Sequence, residues 1–288
     1  MKNSLKSLLL ATAVTASSAF AALTNDPFVN GQGDIMLGFF AASGTGAGKN
    51  LMVNLGSFQQ FDNNNGATIA FNSSIVADLD ATYGNGTEPT TNWRTSGLVQ
   101  WSLIGTTGSA TTIDGVNQRT IFMTNAAGTG TGAIVVNSNG STSTTTNVNR
   151  ITSIGTSYNA FNTTINSNVA VVVDSSNATS MQALLTASSN TRFGSVNQVV
   201  ATGSGSALDF YAVVPSDATP SGLAIDTDGL VYTSGVNRLG TFTLDASGLS
   251  YLASGTASAI PEPSTFGALA GAAVLGLAAT RRRSAVRA

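Results

Sequence analysis

From residue 34 onward the chain consists of short apolar or alternating runs, broken every few residues by clusters of Gly, Asn, Ser and Thr. Such runs are typical of β-strands, because strand side chains alternate between two faces and a turn follows within a few residues. No repeat of fixed period is visible, which argues against a propeller or a regular solenoid. The pattern predicts a mainly β body, an antiparallel β-sandwich or a jelly roll, with its clearest strands at residues 34–42, 51–58, 97–104, 120–124, 133–136, 169–173, 208–214, 240–244 and 249–253.

Two segments depart from this strand pattern. Apolar residues recur at spacings of three and four between residues 148 and 165, which is the period of one helix face. An amphipathic helix is predicted there, and residues 179–186 are predicted to form a short second one. The polar tract at residues 137–147 is predicted to be a surface loop. The helix face consists of Val148, Ile151, Ile154, Tyr158, Phe161 and Ile165.

Ionisable side chains are scarce throughout the chain. Only 9% of the residues are charged, against about 25% in an average soluble domain, so the surface must be made of hydroxyl and amide groups. Between residues 22 and 260 there are six basic and thirteen acidic residues, a net charge of −7. A body of this charge is not expected to bind nucleic acid, because that binding depends on clustered cations that neutralise phosphates.

Cysteine and histidine are both absent from the sequence. Their absence excludes disulfides, Cys–His and Ser–His–Asp catalytic groups, and nearly every zinc, copper or haem site. Glycoside hydrolysis by paired carboxylates remains open, although it would depend on aspartates because Glu88 and Glu262 are the only glutamates. We therefore expect a protein that is not an enzyme and has no cofactor or metal.

The first 21 residues have the three parts of a secretory signal. The start carries two lysines, an apolar stretch covers residues 8–14, and the small residues Ala19 and Ala21 precede a cleavage site. Cleavage is predicted before Ala22. A signal of this kind implies the secretory translocon and signal peptidase as partners.

The other end of the chain has an equally ordered arrangement. A Gly/Ser/Thr/Ala-rich stalk leads into Pro261, Glu262 and Pro263, and an uncharged stretch follows at residues 264–280. As a helix this stretch of about 17 residues would span about 25 Å, close to the bilayer core of about 30 Å. The arginines behind it favour a cytoplasmic end, which places the body on the far side of the membrane. These arginines are Arg281, Arg282 and Arg283.

This order of motif, helix and basic cluster resembles the PEP-CTERM family of sorting signals. The resemblance covers about the last 28 residues. It implies recognition by exosortase, a membrane-embedded transpeptidase-like enzyme, and delivery to the cell surface or the exopolysaccharide matrix. Pro261, Glu262 and Pro263 would be the recognition motif, residues 266–279 the membrane helix, and Arg281 to Arg283 the retention charges. The alternative is an ordinary membrane anchor that is never cut.

Side chains suited to ligand binding are few in the body. Trp93 and Trp101 could stack on sugar rings, although packing in the core is the stronger interpretation of both. Asp78 with Asp80, and the acidic stretches at residues 62–66 and 226–229, offer oxygen ligands of the kind calcium prefers. None of these stretches completes a known calcium loop, and Asx–Gly clusters are ordinary turn material.

The sequence thus predicts five segments: a signal peptide at 1–21, a β-rich extracytoplasmic body at 22–253, a stalk and motif at 254–263, a transmembrane helix at 264–280 and a cytoplasmic tail at 281–288. The expected function is that of an exported structural protein of the cell surface or exopolysaccharide matrix. Two alternatives remain open at this point. One is a carbohydrate-binding module or weak glycoside hydrolase, and the other is an unprocessed membrane-anchored protein.

Overall fold

The fold is taken from a computed structural model of the chain. It describes residues 19–21, 26–29, 33–41, 43–62, 68–71, 74–88, 91–110, 112–131, 134, 136–138, 140–162, 170–186, 198–199, 206–217, 224–225, 231–232 and 234–254.

Strands dominate the described residues, and the prediction of a mainly β body is confirmed. The strands are β1 (Ala19–Ala21), β2 (Asp34–Ala41), β3 (Lys49–Ser57), β4 (Thr68–Phe71), β5 (Val99–Thr106), β6 (Ile121–Ala126), β7 (Val171–Asp174), β8 (Gln198–Val199), β9 (Ser206–Val214), β10 (Ala224–Ile225), β11 (Val231–Tyr232), β12 (Gly235–Asp245) and β13 (Gly248–Ala253). The helices are α1 (Ser74–Tyr83), α2 (Thr142–Asn162) and α3 (Met181–Thr186).

Eleven of the thirteen described strands form one continuous sheet instead of the two facing sheets of a sandwich. Its order is β1-β4-β13-β12-β9-β6-β5-β2-β3-β7, with β8 paired to β5 beside this path and β10 paired with β11 separately. Every strand pair is antiparallel except β1 with β4. The predicted sandwich is therefore replaced by a single sheet that encloses a core by curling.

Aromatic side chains fill the concave side of this curl. The chain between β3 and β4 forms a 3-10 turn at Phe58–Gln60, followed by the fully buried Phe61. The Phe61 ring lies 5.2 Å from those of Phe242 and Tyr251, on β12 and β13, and 6.0 Å from that of Phe210 on β9. Strands along one half of the sheet therefore bury their side chains around one ring.

The opposite face of the sheet is covered by helices. Met36, Met52 and Ile104 project from the sheet into a second core cluster, which also contains Ile154 and Tyr158 of α2. Successive residues of β2 point to opposite faces of the sheet, and each face lies against one of the two core clusters. β2 is therefore buried along its whole length. A strand buried on both faces reads as a continuous apolar run, as this one does.

The predicted helices are present, with two corrections. Residues 142–147, predicted as loop, form the first turns of α2, where the Thr144 N–H donates to the Ser141 hydroxyl at 3.2 Å and so caps the helix. On the predicted apolar face, Val148, Ile151, Ile154 and Tyr158 are buried but Phe161 is 37% exposed. Ile165 lies outside the described residues.

Other errors concern short elements. Residues 134 and 136 lie outside any strand, so the predicted strand at 133–136 is wrong in its described part. Helix α1 was missed because ten residues offer little periodicity, yet Ile75, Leu79 and Tyr83 pack into the aromatic core. The remaining predicted strands are present, with ends that differ by a few residues.

Replacing Phe61 with alanine should lower the free energy of unfolding by about 3–5 kcal/mol, because it empties the centre of the aromatic core. Urea unfolding followed by tryptophan fluorescence measures this. The matched control is Phe161→Ala, at an exposed position, which should change the free energy of unfolding by less than about 1 kcal/mol. Equal effects of the two substitutions would contradict the central role of Phe61.

Candidate functional site: the two chain ends and their attachment

The described chain ends directly behind a strand that lies inside the sheet. β13 is paired with β12 on one side and β4 on the other. Just beyond it, the Ser254 N–H donates to the Leu239 carbonyl at 2.8 Å and the Ser254 hydroxyl donates to the Arg238 carbonyl at 3.1 Å. The C-terminal segment therefore leaves from a point held by hydrogen bonds to β12.

The other end of the chain reaches the same margin of the sheet. Ala19, Phe20 and Ala21 form β1, which pairs in parallel with Ile69, Ala70 and Phe71 of β4. β4 in turn pairs with β13. With neighbouring strands about 4.8 Å apart, β1 and β13 are about 10 Å apart across the sheet. The strands next to the two predicted processing regions thus lie on either side of β4.

Between β1 and β2, residues 26–29 are fastened to the body. The Phe28 N–H donates to the Asn159 side-chain oxygen at 2.7 Å, and the Asn159 amide donates back to the Phe28 carbonyl at 2.9 Å. The Asn54 amide donates to the Asp26 carbonyl at 3.3 Å. A Cβ at Gly155 of α2 would overlap the Phe28 ring, so the glycine allows this close approach.

A buried carboxylate supports the same fastening. One oxygen of Asp34 accepts from the Val29 N–H at 2.8 Å and from the Asn54 amide at 3.0 Å. Burial raises the pKa of Asp34, and these hydrogen bonds only partly offset the effect, while the charge of Asp26 adds to it. The folded chain therefore favours the protonated form of Asp34 more than the unfolded chain does.

Asp209 on β9 has the opposite electrostatics. It accepts from Arg238 at 2.7 Å, from the Thr241 hydroxyl at 2.8 Å and from the Gly128 N–H at 2.9 Å. Burial opposes its ionisation, but the hydrogen bonds from these partners and the arginine charge outweigh burial and lower the pKa of Asp209. The ion pair of Arg238 with Asp209 joins β12 to β9, and the Gly128 hydrogen bond joins the turn after β6 to β9. The ion pair lies next to the point where the C-terminal segment leaves the sheet.

Trp93 and Trp101 are packed in the aromatic core, so neither offers a free face for stacking on a sugar. Trp93 is 1% exposed and Trp101 is fully buried. The Trp93 indole N–H donates to Asp80 at 2.7 Å, and that of Trp101 donates to the Ser206 hydroxyl at 2.9 Å. Core packing, the stronger of the two interpretations, is what the structure shows for both.

The neighbouring acids Asp78 and Asp80 of α1 face different partners. Asp78 accepts from the Ala170 N–H at 3.2 Å, while Asp80 pairs with Arg94 at 2.6 Å. They do not converge on one point. No cluster of three or more His, Cys, Asp or Glu side chains suited to a metal ion occurs in the described part of the chain. Of the stretch at 62–66 only residue 62 is described, and residues 226–229 lie outside.

Most of the predicted sorting tail lies beyond the described residues. This applies to Pro261, Glu262 and Pro263, to the helix at 264–280 and to Arg281, Arg282 and Arg283. At the front, Ala19 and Ala21 lie in β1, whereas Ala22 is outside the described residues. Within the ranges that the structure describes, no helix combines the length and apolar character needed to span a membrane.

Sequence reasoning did not single out the polar groups that fasten the ends. The only signal for Asp34 and Asp209 is an acidic residue at the edge of or inside an otherwise apolar run. Asn54 and Asn159 are indistinguishable in sequence from the many other asparagines. Their roles depend on which backbone groups the fold brings within reach.

Two Asp→Asn substitutions should therefore change the pH dependence of stability in opposite directions. Because the pKa of Asp34 is raised by folding, ionisation costs more in the folded chain, and Asp34→Asn should gain stability relative to wild type as the pH rises from about 3 to 7. Because the pKa of Asp209 is lowered, Asp209→Asn should lose stability relative to wild type over the same rise. Urea unfolding across this range measures both, and parallel curves for the two variants would contradict the assignment.

Comparison with known proteins bears on the tail alone. Residues 259–283 match the family model of the PEP-CTERM protein-sorting motif. No curated protein and no solved structure was found to match the chain. The match contains the Pro-Glu-Pro motif, the uncharged stretch and the arginines in the predicted order, and it indicates export and processing by exosortase toward the cell surface. The chain thus carries a PEP-CTERM protein-sorting motif at residues 259–283.

Proposed function

We propose that this protein is a non-enzymatic structural component of the cell surface or the exopolysaccharide matrix. In this proposal signal peptidase removes residues 1–21, the C-terminal helix holds the chain in the inner membrane, and exosortase then processes the tail. The observation that carries the proposal is the sorting motif at residues 259–283. The motif directs the body to the cell surface or the matrix, so the surface of the body should suit that environment.

The placement of the two chain ends supports this route. β1 and β13 lie on either side of β4, so both ends leave from one margin of the sheet. During export the signal and the C-terminal anchor would both be held in the inner membrane. Because both ends belong to one margin, the rest of the sheet can form while the two segments remain tethered there.

The outer face of α2 supports contact with a hydrated polysaccharide. The hydroxyls of Thr146, Ser153 and Thr156 donate to backbone carbonyls four residues earlier, at 2.6, 2.9 and 2.9 Å. Each hydroxyl oxygen then keeps acceptor capacity toward the solvent. A face of uncharged acceptors can accept hydrogen bonds from sugar hydroxyls or from water.

A carbohydrate-binding module or a glycoside hydrolase has less support. Trp93 and Trp101 are both in the core. Among the described residues the acids closest in sequence, Asp78 and Asp80, face different partners. The described residues thus offer no observation that favours this alternative over a structural role.

The proposed processing is tested by the intact mass of the protein recovered from cell surface and medium. We expect the wild type to lack residues 1–21 and its C-terminal segment. A variant with Pro261, Glu262 and Pro263 replaced by alanine should lose the signal but keep the tail. A matched control carries the same number of alanines in the stalk at residues 255–258, where processing should be unchanged. A wild-type protein that still ends at Ala288 would indicate an uncut membrane anchor.

The matrix half of the proposal is tested by binding of the processed body to exopolysaccharide from the producing cells. Binding should persist between about 0.05 and 0.5 M salt, because hydrogen bonds between neutral groups are not screened as ionic contacts are. The double variant Thr146→Glu and Ser153→Glu should bind less, while Asp245→Asn, at the end of β12, serves as a surface control. A body that is not retained at any salt concentration would remove the matrix role.

A further inference from the structure

The short strand β1 consists of the three residues that immediately precede the predicted cleavage site. Ala19, Phe20 and Ala21 pair through their backbones with residues 69–71 of β4. The bond between Ala21 and Ala22, which signal peptidase would cut, follows this strand directly. The folded body therefore holds the recognition residues of its own signal.

The chain is also held on the other side of this bond. Residues 26–29 are fixed by Asn54, Asn159 and Asp34 through the hydrogen bonds described above. Phe28 is buried in the second core cluster. Only residues 22–25 lie between the two attachments. The described residues on both sides of the scissile bond, 19–21 and 26–29, are thus hydrogen-bonded to the body.

Peptidases bind an extended substrate through its backbone, in the manner of an added strand. Because β1 already pairs with β4, one backbone edge of this segment is occupied. The sheet attached to that edge also prevents the cleft of a peptidase from closing around the segment. Release of β1 from β4 costs backbone hydrogen bonds and must precede cleavage. This applies only to a chain that has already folded.

We propose that docking of β1 on β4 shields the signal-cleavage bond, so that cleavage has to occur before this margin of the sheet forms. The proposal rests on the signal cleavage included in the proposed function. Cleavage hydrolyses the Ala21–Ala22 peptide bond and removes β1. Among the described strands, β4 then changes from an inner strand to an edge strand.

The edge exposed in this way is uncharged. β4 (Thr68–Phe71) contains no ionisable residue, and on the adjacent β13 Leu252 is 51% exposed. Edge strands are commonly protected by charge, proline or bulges. In the precursor, β1 supplies that cover itself.

The first test compares amide hydrogen exchange of Thr68–Phe71 in the full chain and in the chain that starts at Ala22. Exchange at the outward amides of β4 should be about tenfold or more faster in the shorter chain, because those amides lose their partners. Amides of β9, which lies inside the sheet in both forms, serve as the internal control. Equal protection of β4 in both chains would overturn the proposal.

The second test measures cleavage of the folded full chain by purified signal peptidase. Successive strand residues direct their N–H groups to opposite neighbours, so Ile69→Pro and Ala70→Pro each remove an amide facing a different strand. The variant whose lost amide faces β1 should be cut about tenfold faster than wild type. The other variant controls for general destabilisation. Equal rates for wild type and both variants would overturn the shielding.

A synthetic peptide of residues 10–30 provides the unfolded reference. If the peptide is cut between Ala21 and Ala22 and the folded chain is cut as fast, the shielding is wrong but the signal assignment stands. If the peptide is not cut there, the signal cleavage in the proposed function is wrong, and the inference fails with it.

Discussion

Burial of one phenylalanine at the centre of a curled sheet is the interaction on which the rest of this structure depends. Phe61 lies against Phe210, Phe242 and Tyr251, which come from three different strands, and the Tyr251 hydroxyl donates to the Phe61 carbonyl at 2.5 Å. Both the ring and the backbone of this residue are therefore fixed. No second sheet covers this face in the described residues. The apolar contacts around Phe61 therefore stabilise the curled form of the sheet. Phe61 therefore joins side chains of β9, β12 and β13 in one cluster.

The protein has to achieve this stability without disulfides and with few ion pairs. Cysteine is absent and only 9% of residues are charged. Stability must come from apolar burial, strand pairing and hydrogen bonds from hydroxyl and amide side chains. The buried charges that do occur are handled individually: Asp209 keeps its charge because Arg238 pairs with it, whereas Asp34 has a raised pKa. Both act where strands or chain segments are joined.

The scarcity of charged side chains also suits the proposed location at the cell surface or in the matrix. A surface of hydroxyls and amides interacts with water and sugars without depending on ionic strength. Six of the twelve basic residues lie in the two end segments, where the proposed function has them meet the membrane and the processing enzymes. The body places β1 and β13 at one margin of the sheet, so these end segments leave from neighbouring positions.

Local patterns in the sequence were sufficient for the type and approximate extent of most elements, and for the sorting motif. Alternation and turn clusters identify strands because a strand's period is local, and the motif at 259–283 is recognised from residue order alone. The sequence also excluded whole classes of chemistry through its missing histidine and cysteine. What it could not determine is pairing. Whether the strands form one curled sheet or a sandwich, and whether β1 lies beside β4, depend on contacts between residues far apart in the chain. Those contacts depend on how side-chain volumes fill a shared core, and no local pattern encodes that.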